Sequence, residues 1–495
     1  MPDDNTTAHS DVELISSGIP ELDTLLNGGL IRGRAYLVQG TAGTGKSLLG
    51  QHFLREGIDN GETVVYIHGE ESKSDILTNA ARVGIDITDV TFLDIGPGTD
   101  FFAEDITYDL VETTAVESER FTKDIKDVIE DLDPERVLID PITQLQYVER
   151  DEYQYRKRLQ SLIRFLRNRT GTIVATRTTH GRGDRSLAYD DFESLSDGVI
   201  NLFLDESERR IAVTKHRGLG QKDGTHGLEI RECGIEVYPQ LVPDERHRGF
   251  DPELLSTGND DLDSLLGGGI ERGSVTVTTG PTGVGKSTIG AQMLAGIAED
   301  EGTALGYLFD ESIEQFTYRS DNLDIPIADY HDDGTLAFQE VEPLVRSGEE
   351  FTQQVVTDVD ETEPDAVFID GLSGYKLSLQ GDAERLVRRL HSLTRTLKNR
   401  GVAVIITDEI ERLTGISEAT STNTSYIADN IVGLSYVELD GETVRVIGVL
   451  KKRLGDFDNR FHRFTITSGT GLSVEEPFDS VHGIMRGSPT PTDHE

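Results

Sequence analysis

The sequence predicts an α/β fold written twice: two tandem domains, each a mostly parallel sheet flanked by helices. Three observations carry this: a long repeat in constant register, short apolar runs alternating with helical stretches, and one glycine-rich motif at the same place in each copy. The 495 residues also exceed what one core ordinarily holds, since single cores stop growing at roughly 250–300 residues.

The repeat opens each copy. Gly18, Leu22, Asp23 and Leu25 of SGIPELDTLLNGGLIRG return as Gly258, Leu262, Asp263 and Leu265 of TGNDDLDSLLGGGIERG. Lys46/Lys286 and Glu71/Glu311 keep the same separation of 240 positions. Each copy is long enough to bury its own core, so this is a duplicated domain rather than a solenoid. The expected organisation is a first domain over 1–240, a linker over 241–252, a second domain over 253–486 and a tail over 487–495. The linker, LVPDERHRGFDP, is charged, contains proline and has no period. The tail GSPTPTDHE reads as frayed.

In the first copy AYLVQG, TVVYIHG, RVLID and GTIVATR are short, β-branched apolar runs; VTVTTG, ALGYLFD, AVFID and VAVIITD repeat them in the second. Their apolarity is continuous rather than alternating, as suits strands buried on both faces between helices.

The first strand of each copy runs into Gly40-Thr41-Ala42-Gly43-Thr44-Gly45-Lys46-Ser47 or Gly280-Pro281-Thr282-Gly283-Val284-Gly285-Lys286-Ser287, both matching G-x-x-x-x-G-K-[ST]. Glycines let the backbone wrap closely around phosphates, with N–H groups pointing inward at a helix start that favours anions. The spacing assigns Lys46 and Lys286 to the β- and γ-phosphates of ATP, and the Ser47 and Ser287 hydroxyls to Mg²⁺. Helical runs follow, LLGQHFL and TIGAQML, which is the context the motif requires. Asp140 and Asp370 each end an apolar strand and are the expected carboxylates on the metal side. Glu70 and Glu71 follow the second strand of the first copy, and Asp310 and Glu311 that of the second. Paired acids there can orient and deprotonate an attacking water or hydroxyl.

Composition bounds the setting. Ninety acidic against 47 basic residues leave a formal charge of −43, spread along the chain rather than gathered into a tail. Lysine is much rarer than arginine. Both features fit a protein adapted to high salt, where screening shortens the range of self-repulsion, as in a halophile's cytoplasm. The balance disfavours a broad basic face for nucleic acid. Cys233 is the only cysteine, so no disulfide forms within one chain. The N-terminal stretch is polar, and no apolar run approaches the ~18 residues of a membrane span. A cytoplasmic protein without membrane association is expected.

Together these residues resemble the KaiC family, the circadian-clock ATPases and their archaeal relatives within the RecA-like P-loop superfamily. The resemblance extends to SYIADNIVGLSYVEL at 425–439 and GSPT at 487–490, and so covers nearly the whole chain. It implies two RecA-like domains, and six chains in a double ring with ATP at the subunit interfaces. It also implies that basic residues of a neighbouring subunit reach the phosphates. The matching segments are TKHRGLGQK, with Lys215 and Arg217, and LKKRLGDFD, with Lys451 and Arg453. A cation delivered to the γ-phosphate stabilises charge building in the transition state and makes hydrolysis depend on assembly. The family further autophosphorylates a Ser-Thr pair in its second domain. Matching on Asp429 puts Ser425 at the serine position and Tyr426 at the threonine position, with Thr424 or Ser421 as substitutes. In the first domain Glu193 stands opposite Ser425 when Asp197 is matched to Asp429, which leaves that domain a pure ATPase.

The expected activity is therefore ATP hydrolysis, with serine autokinase activity in the second domain as a further expectation, serving timing or signal transduction with unidentified protein partners. Two other classes share the phosphate motifs. One is a RecA/RadA-type motor that grips DNA, against which stand the net charge and the lack of a basic-aromatic loop or helix-hairpin-helix pattern. The other is a slow, nucleotide-gated scaffold.

Overall fold

The computed structural model describes residues 12–96, 123–144, 152–169, 171–179, 193–205, 208–243, 253–343, 345–378, 383–411, 414, 420, 424–439, 441–478, 481–486 and 490–491. It divides into two compact units, Met1–Gln240 and Leu241–Glu495. Most of the segment read as a linker, 244–252, lies outside the described residues. So does most of the tail, although Thr490–Pro491 pairs antiparallel with Val481–His482 instead of fraying.

The first unit holds a nine-stranded sheet. Its order, edge to edge, is Thr91–Asp94, Val64–His68, Arg136–Asp140, Thr172–Thr178, Ala35–Gly40, Gly198–Asp205, Glu208–His216, His226–Arg231 and Gly234–Tyr238. Pairing is parallel from Thr91–Asp94 through to Gly198–Asp205 and antiparallel beyond. The second unit repeats the order with Leu336–Glu340, Ala304–Leu308, Ala366–Asp370, Ala403–Glu409, Val275–Gly280, Asn430–Leu439, Glu442–Lys452, His462–Thr467 and Gly471–Pro477. The apolar runs read from the sequence are the central parallel strands. The antiparallel wing and the edge strands Thr91–Asp94 and Leu336–Glu340 were not legible as such, because their burial is partial and interrupted.

Continuous apolarity has the expected consequence. Every residue of Ala35–Gly40 and Val64–His68 is buried, and a core lies on each face of the sheet. In the first unit one core contains Leu49, Phe53 and Leu54 of the helix Lys46–Asp59 packed with Leu138. The other contains Leu37, Ile67 and Ile139 with Leu159, Ile163 and Leu166 of the helix Glu152–Arg169. Among the described residues no helix is long and apolar enough to cross a membrane.

The helix after each phosphate loop lies against its sheet through a glycine. A β-carbon at Gly50 would stand 2.4 Å from Leu138, and one at Gly290 2.4 Å from the Phe368 ring. Phe368 is fully buried beside Phe316, so the ring has little room to yield. Gly290→Ala gains about 1 kcal/mol of helix propensity but overpacks this contact at a cost of typically 1–3 kcal/mol. We expect a net loss of stability, read as a lower denaturant midpoint at matched salt and partly recovered by Phe368→Leu. An unchanged midpoint would show that helix and sheet can separate freely.

Candidate nucleotide site in each domain

Parallel strands all present their C-terminal ends to one edge of the sheet, and the predicted loops, strand-end aspartates and acid pairs gather there. Lys215 and Lys451 are registered instead with Val199 and Ile431, near the amino ends of their neighbouring strands, and Ser425 precedes the second of those strands. The register sets Gly40 beside Thr178 and His68 beside Asp140 in the first unit. In the second it sets Gly280 beside Glu409 and Leu308 beside Asp370. In open α/β sheets this carboxyl edge is where ligands bind.

Gly45 and Gly285 turn loop into helix at φ 99° and 116°, in the left-handed region that L-residues with a side chain avoid. Neither helix, Lys46–Asp59 or Lys286–Glu299, has a side-chain cap at its N-terminus. Its first N–H groups and its dipole are thus directed at whatever anion the loop encloses. Each loop is closed by its own lysine: Lys46 Nζ donates to the Thr41 carbonyl at 2.8 Å, and Lys286 Nζ to that of Pro281 at 3.0 Å. Burial pulls both ammonium pKa values down. Asp140 and Glu70 oppose the shift at Lys46; Glu409, Asp370, Asp408 and Asp310 oppose it at Lys286.

The strand-end aspartates are held by hydroxyls. Asp140 accepts from Tyr66 at 2.7 Å through one oxygen and from Thr176 through the other. Asp370, 3% exposed, accepts from Ser287 at 3.0 Å and from Thr407 at 2.6 Å. Burial pushes its carboxyl up to about 6, against the pull of those two hydroxyls. A cation beside it would restore the charge. Among the described residues no group of three or more His, Cys, Asp or Glu is placed to hold a metal by itself. The converging Ser287 hydroxyl and Asp370 carboxylate instead suit Mg²⁺, which keeps waters and takes one or two carboxylates with substrate phosphates.

The two acid pairs differ more than their sequences suggest. Glu70 and Glu71 are exposed, and the Asn79 amide donates to Glu71 at 3.2 Å. Asp310 lies against Gly371, where a β-carbon would come within 2.5 Å of the carboxylate. Its pKa is raised by burial first and then by Glu409, with Lys286 opposing. Glu311 is paired with Arg319 through both oxygens, Nη2–Oε1 at 2.5 Å and Nε–Oε2 at 3.4 Å.

The basic residues assigned to a neighbour's phosphates are anchored within their own domain. Lys215 Nζ donates to the Glu193 carbonyl at 2.7 Å, and Arg217 pairs with Asp197 at 3.5 Å. Lys451 Nζ donates to the Ser425 and Ala428 carbonyls at 2.8 and 2.6 Å, and Arg453 pairs with Asp429 at 3.0 Å. Burial lowers the pKa of both lysines, with Arg217 and Arg453 respectively adding to it. Ser425 is half-buried in the single turn Thr424–Tyr426. The Tyr426 ring, 52% exposed, stacks on His391 with centroids 6.0 Å apart. Ser421 lies outside the described residues. Glu193, at the matching place in the first unit, is bound by Gln39 and by Arg177 at 3.3 Å.

Several partners in these sites were not foreseen: Tyr66, Thr176 and Thr407 on the aspartates, Arg319 on Glu311, and Glu409 at 3.9 Å from Lys286. Thr176, Thr407 and Glu409 lie near the ends of GTIVATR and VAVIITD, strands adjacent to those ending in Asp140 and Asp370. Placing all the strand ends on one edge would have brought them into view.

The family model described as "ATPase: KaiC" matches residues 15–242 and again 255–478. A circadian clock oscillator protein KaiC from Parasynechococcus marenigrum (strain WH8102) is 27% identical, over 99% of this chain and 95% of the relative. One from Parathermosynechococcus lividus is 27% identical over 96% of this chain and 87% of its own length. The circadian clock protein KaiC3 of Synechocystis sp. (strain ATCC 27184 / PCC 6803 / Kazusa) is 28% identical over 97% and 95%.

Each loop and its lysine lie within one compact unit. Lys46→Ala and Lys286→Ala should each abolish nucleotide retention in one domain and leave the other occupied. Equilibrium counting of bound nucleotide should then give half the wild-type stoichiometry for either variant, and full stoichiometry in both would overturn the assignment of these lysines.

Proposed function

This chain belongs to the KaiC family of ATPases, and on that premise we propose that both domains bind Mg-ATP and hydrolyse it, in a homo-hexameric ring with nucleotide at the subunit interfaces. The observation that carries this reading is the repetition, on the same edge of two sheets of the same order, of a phosphate loop, a strand-end aspartate and an acid pair. Lys46 and Lys286 take the β- and γ-phosphates. Ser47 with Asp140, and Ser287 with Asp370, hold the Mg²⁺, which neutralises phosphate charge. Lys215 and Arg217, and Lys451 and Arg453, complete the neighbouring subunit's site. Their anchorage to the segment before Asp197 or Asp429 would let nucleotide state and subunit contact be felt by the same piece of chain.

In the first domain Glu71, with Glu70 beside it, takes the proton of the attacking water. In the second the attacking group is water or the Ser425 hydroxyl. Support for Ser425 is positional: it lies four residues before Asp429 in a turn whose carbonyl is held by Lys451. The stacking of Tyr426 on His391 keeps the neighbouring ring occupied elsewhere. The output is timing or signal transduction. A DNA-gripping motor is the less favoured reading, with DNA stimulation of turnover at native salt as its signature.

Glu71→Gln should lower first-domain turnover by about 10²-fold or more while ATP affinity stays close to wild type, because the lost group acts in the transition state. A loss of ATP affinity instead would make this carboxylate structural. Incubation with γ-labelled ATP, followed by phosphopeptide mapping, decides the autokinase. Label on 421–426 that vanishes in Ser425→Ala supports it. Steady hydrolysis without label reduces the protein to an ATPase switch.

A further inference from the structure

The two acid pairs occupy equivalent places, yet their partners differ in kind. Eight residues after Glu71 stands Asn79, a neutral amide giving one hydrogen bond at 3.2 Å. Eight residues after Glu311 stands Arg319, whose guanidinium engages both carboxylate oxygens. The replacement is not isolated. Arg319 Nη1 also donates to Thr288 Oγ1 at 3.1 Å, on the helix that follows the phosphate loop, and the matching residue in the first domain is Leu48, which has no hydroxyl. The guanidinium further lies over the Phe316 ring at 5.4 Å. The helix Ile313–Asp321 that carries it is fixed at its start by a reciprocal capping box between Ser312 and Gln315. Glu311 is only 21% exposed and Arg319 34%.

We propose that Arg319 is a positioning residue that withholds Glu311 from the second domain's ATP, leaving Asp310 as the one acid of the pair able to take the proton of the attacking group. The inference rests on the proposed ATPase reading and deepens it. A carboxylate whose two oxygens both accept charge-assisted hydrogen bonds has its basic lone pairs engaged. To accept a proton it would have to give up this two-point pairing, which is only partly open to solvent. Glu71 gives up only one bond to a neutral amide. Among the described residues no guanidinium or amide engages Asp310 in this way. It lies against Gly371, directly after Asp370, with Lys286 among the charges that act on it.

The test uses the full chain carrying Glu71→Gln, so that the remaining turnover reports the second domain. In that background Arg319→Asn, which copies the first domain's residue, should raise kcat about tenfold, a modest part of what a general base contributes, with KM within about twofold. Arg319→Lys should leave kcat near the parent, because a cation still neutralises Glu311. A purely structural role for Arg319 would lower stability or raise KM without separating the Asn from the Lys variant. Arg319→Asn that binds ATP and turns it over no faster than the parent overturns the inference. If Arg319→Asn fails to fold or to hold ATP, the reciprocal Asn79→Arg, in a chain with Glu71 intact and Lys286→Ala, decides. It should cut first-domain kcat by a similar factor, and unchanged kcat overturns the inference. A wild-type chain that hydrolyses no ATP overturns the ATPase reading itself and this inference with it, an outcome distinct from hydrolysis that is indifferent to Arg319.

Discussion

The turn from the central strand into the next helix is the constraint on which both domains depend. At Gly45 and Gly285 the chain adopts a backbone conformation closed to most residues, and so a helix N-terminus stands at the middle of the sheet's carboxyl edge. That position gives the loop its anion-binding character. It also makes the helix cross the sheet so closely that a glycine must face Leu138 or Phe368. Stability and function therefore share one geometric requirement. The lysine that would meet phosphate is in the same bind: it is buried, which disfavours its charge, and it is held by a loop carbonyl and nearby carboxylates. A polyphosphate arriving at this loop meets donors already oriented, so little reorganisation is required.

A second constraint is the pair of buried carboxylates, Asp197 and Asp429. Each joins parts of its domain that are distant in sequence. Asp429 accepts from the Val275 N–H at 3.0 Å, at the start of the phosphate-loop strand, and pairs with Lys398 at 2.5 Å and Arg453 at 3.0 Å. Asp197 accepts from the Ala35 N–H at 3.2 Å and pairs with Arg34, Arg167 and Arg217. A buried charge is costly unless fully partnered, and here the partners come from the strand, the preceding helix and the basic hairpin. Loss of any one of them would leave the carboxylate short of donors. The residue before each outer cation, His216 or Lys452, shows how far the two domains have diverged under the same fold. His216 lies against the Tyr36 hydroxyl at 3.3 Å, whereas Lys452 pairs with the buried Glu271 at 2.7 Å.

Where a single physical demand dictated residue type, the sequence was legible. Strands buried on both faces must be apolar throughout, and phosphate loops must be glycine-rich with one lysine, so the central strands and both loops could be read off directly. The positions of Asp140 and Asp370 at strand ends were legible because a carboxylate marks where each apolar run stops. The antiparallel wing was not, since half-exposed strands such as Gly471–Pro477 carry mixed residues that alternate imperfectly. The partnership of Arg319 with Glu311 was also hidden. An arginine in the last turn of a helix ordinarily serves the helix dipole, and only three-dimensional placement turns it back towards a residue preceding the helix.

Charge distribution links these points to the setting of the protein. In a chain of net charge −43, the helices Glu152–Arg169 and Ala383–Asn399 are conspicuously basic. A free cationic face would favour the DNA-gripping alternative. Instead Arg167 turns to Asp197, Lys398 to Asp429, Arg389 to Glu349 and the adjoining Arg400 to Asp360. Arg167, Lys398 and Arg389 are thus drawn to buried carboxylates of their own domain, while Arg156, Lys157, Arg164, Arg388 and Arg395 stay exposed. Screening at high ionic strength weakens exposed pairs first, and those shielded from water least. In concentrated salt the pairs that persist therefore include those around Asp197, Asp429 and Glu349, each carboxylate almost wholly buried. Two of these three brace the segments that carry Lys215 and Arg217, and Lys451 and Arg453. Salt strong enough to quiet the surface would leave those two braces largely intact.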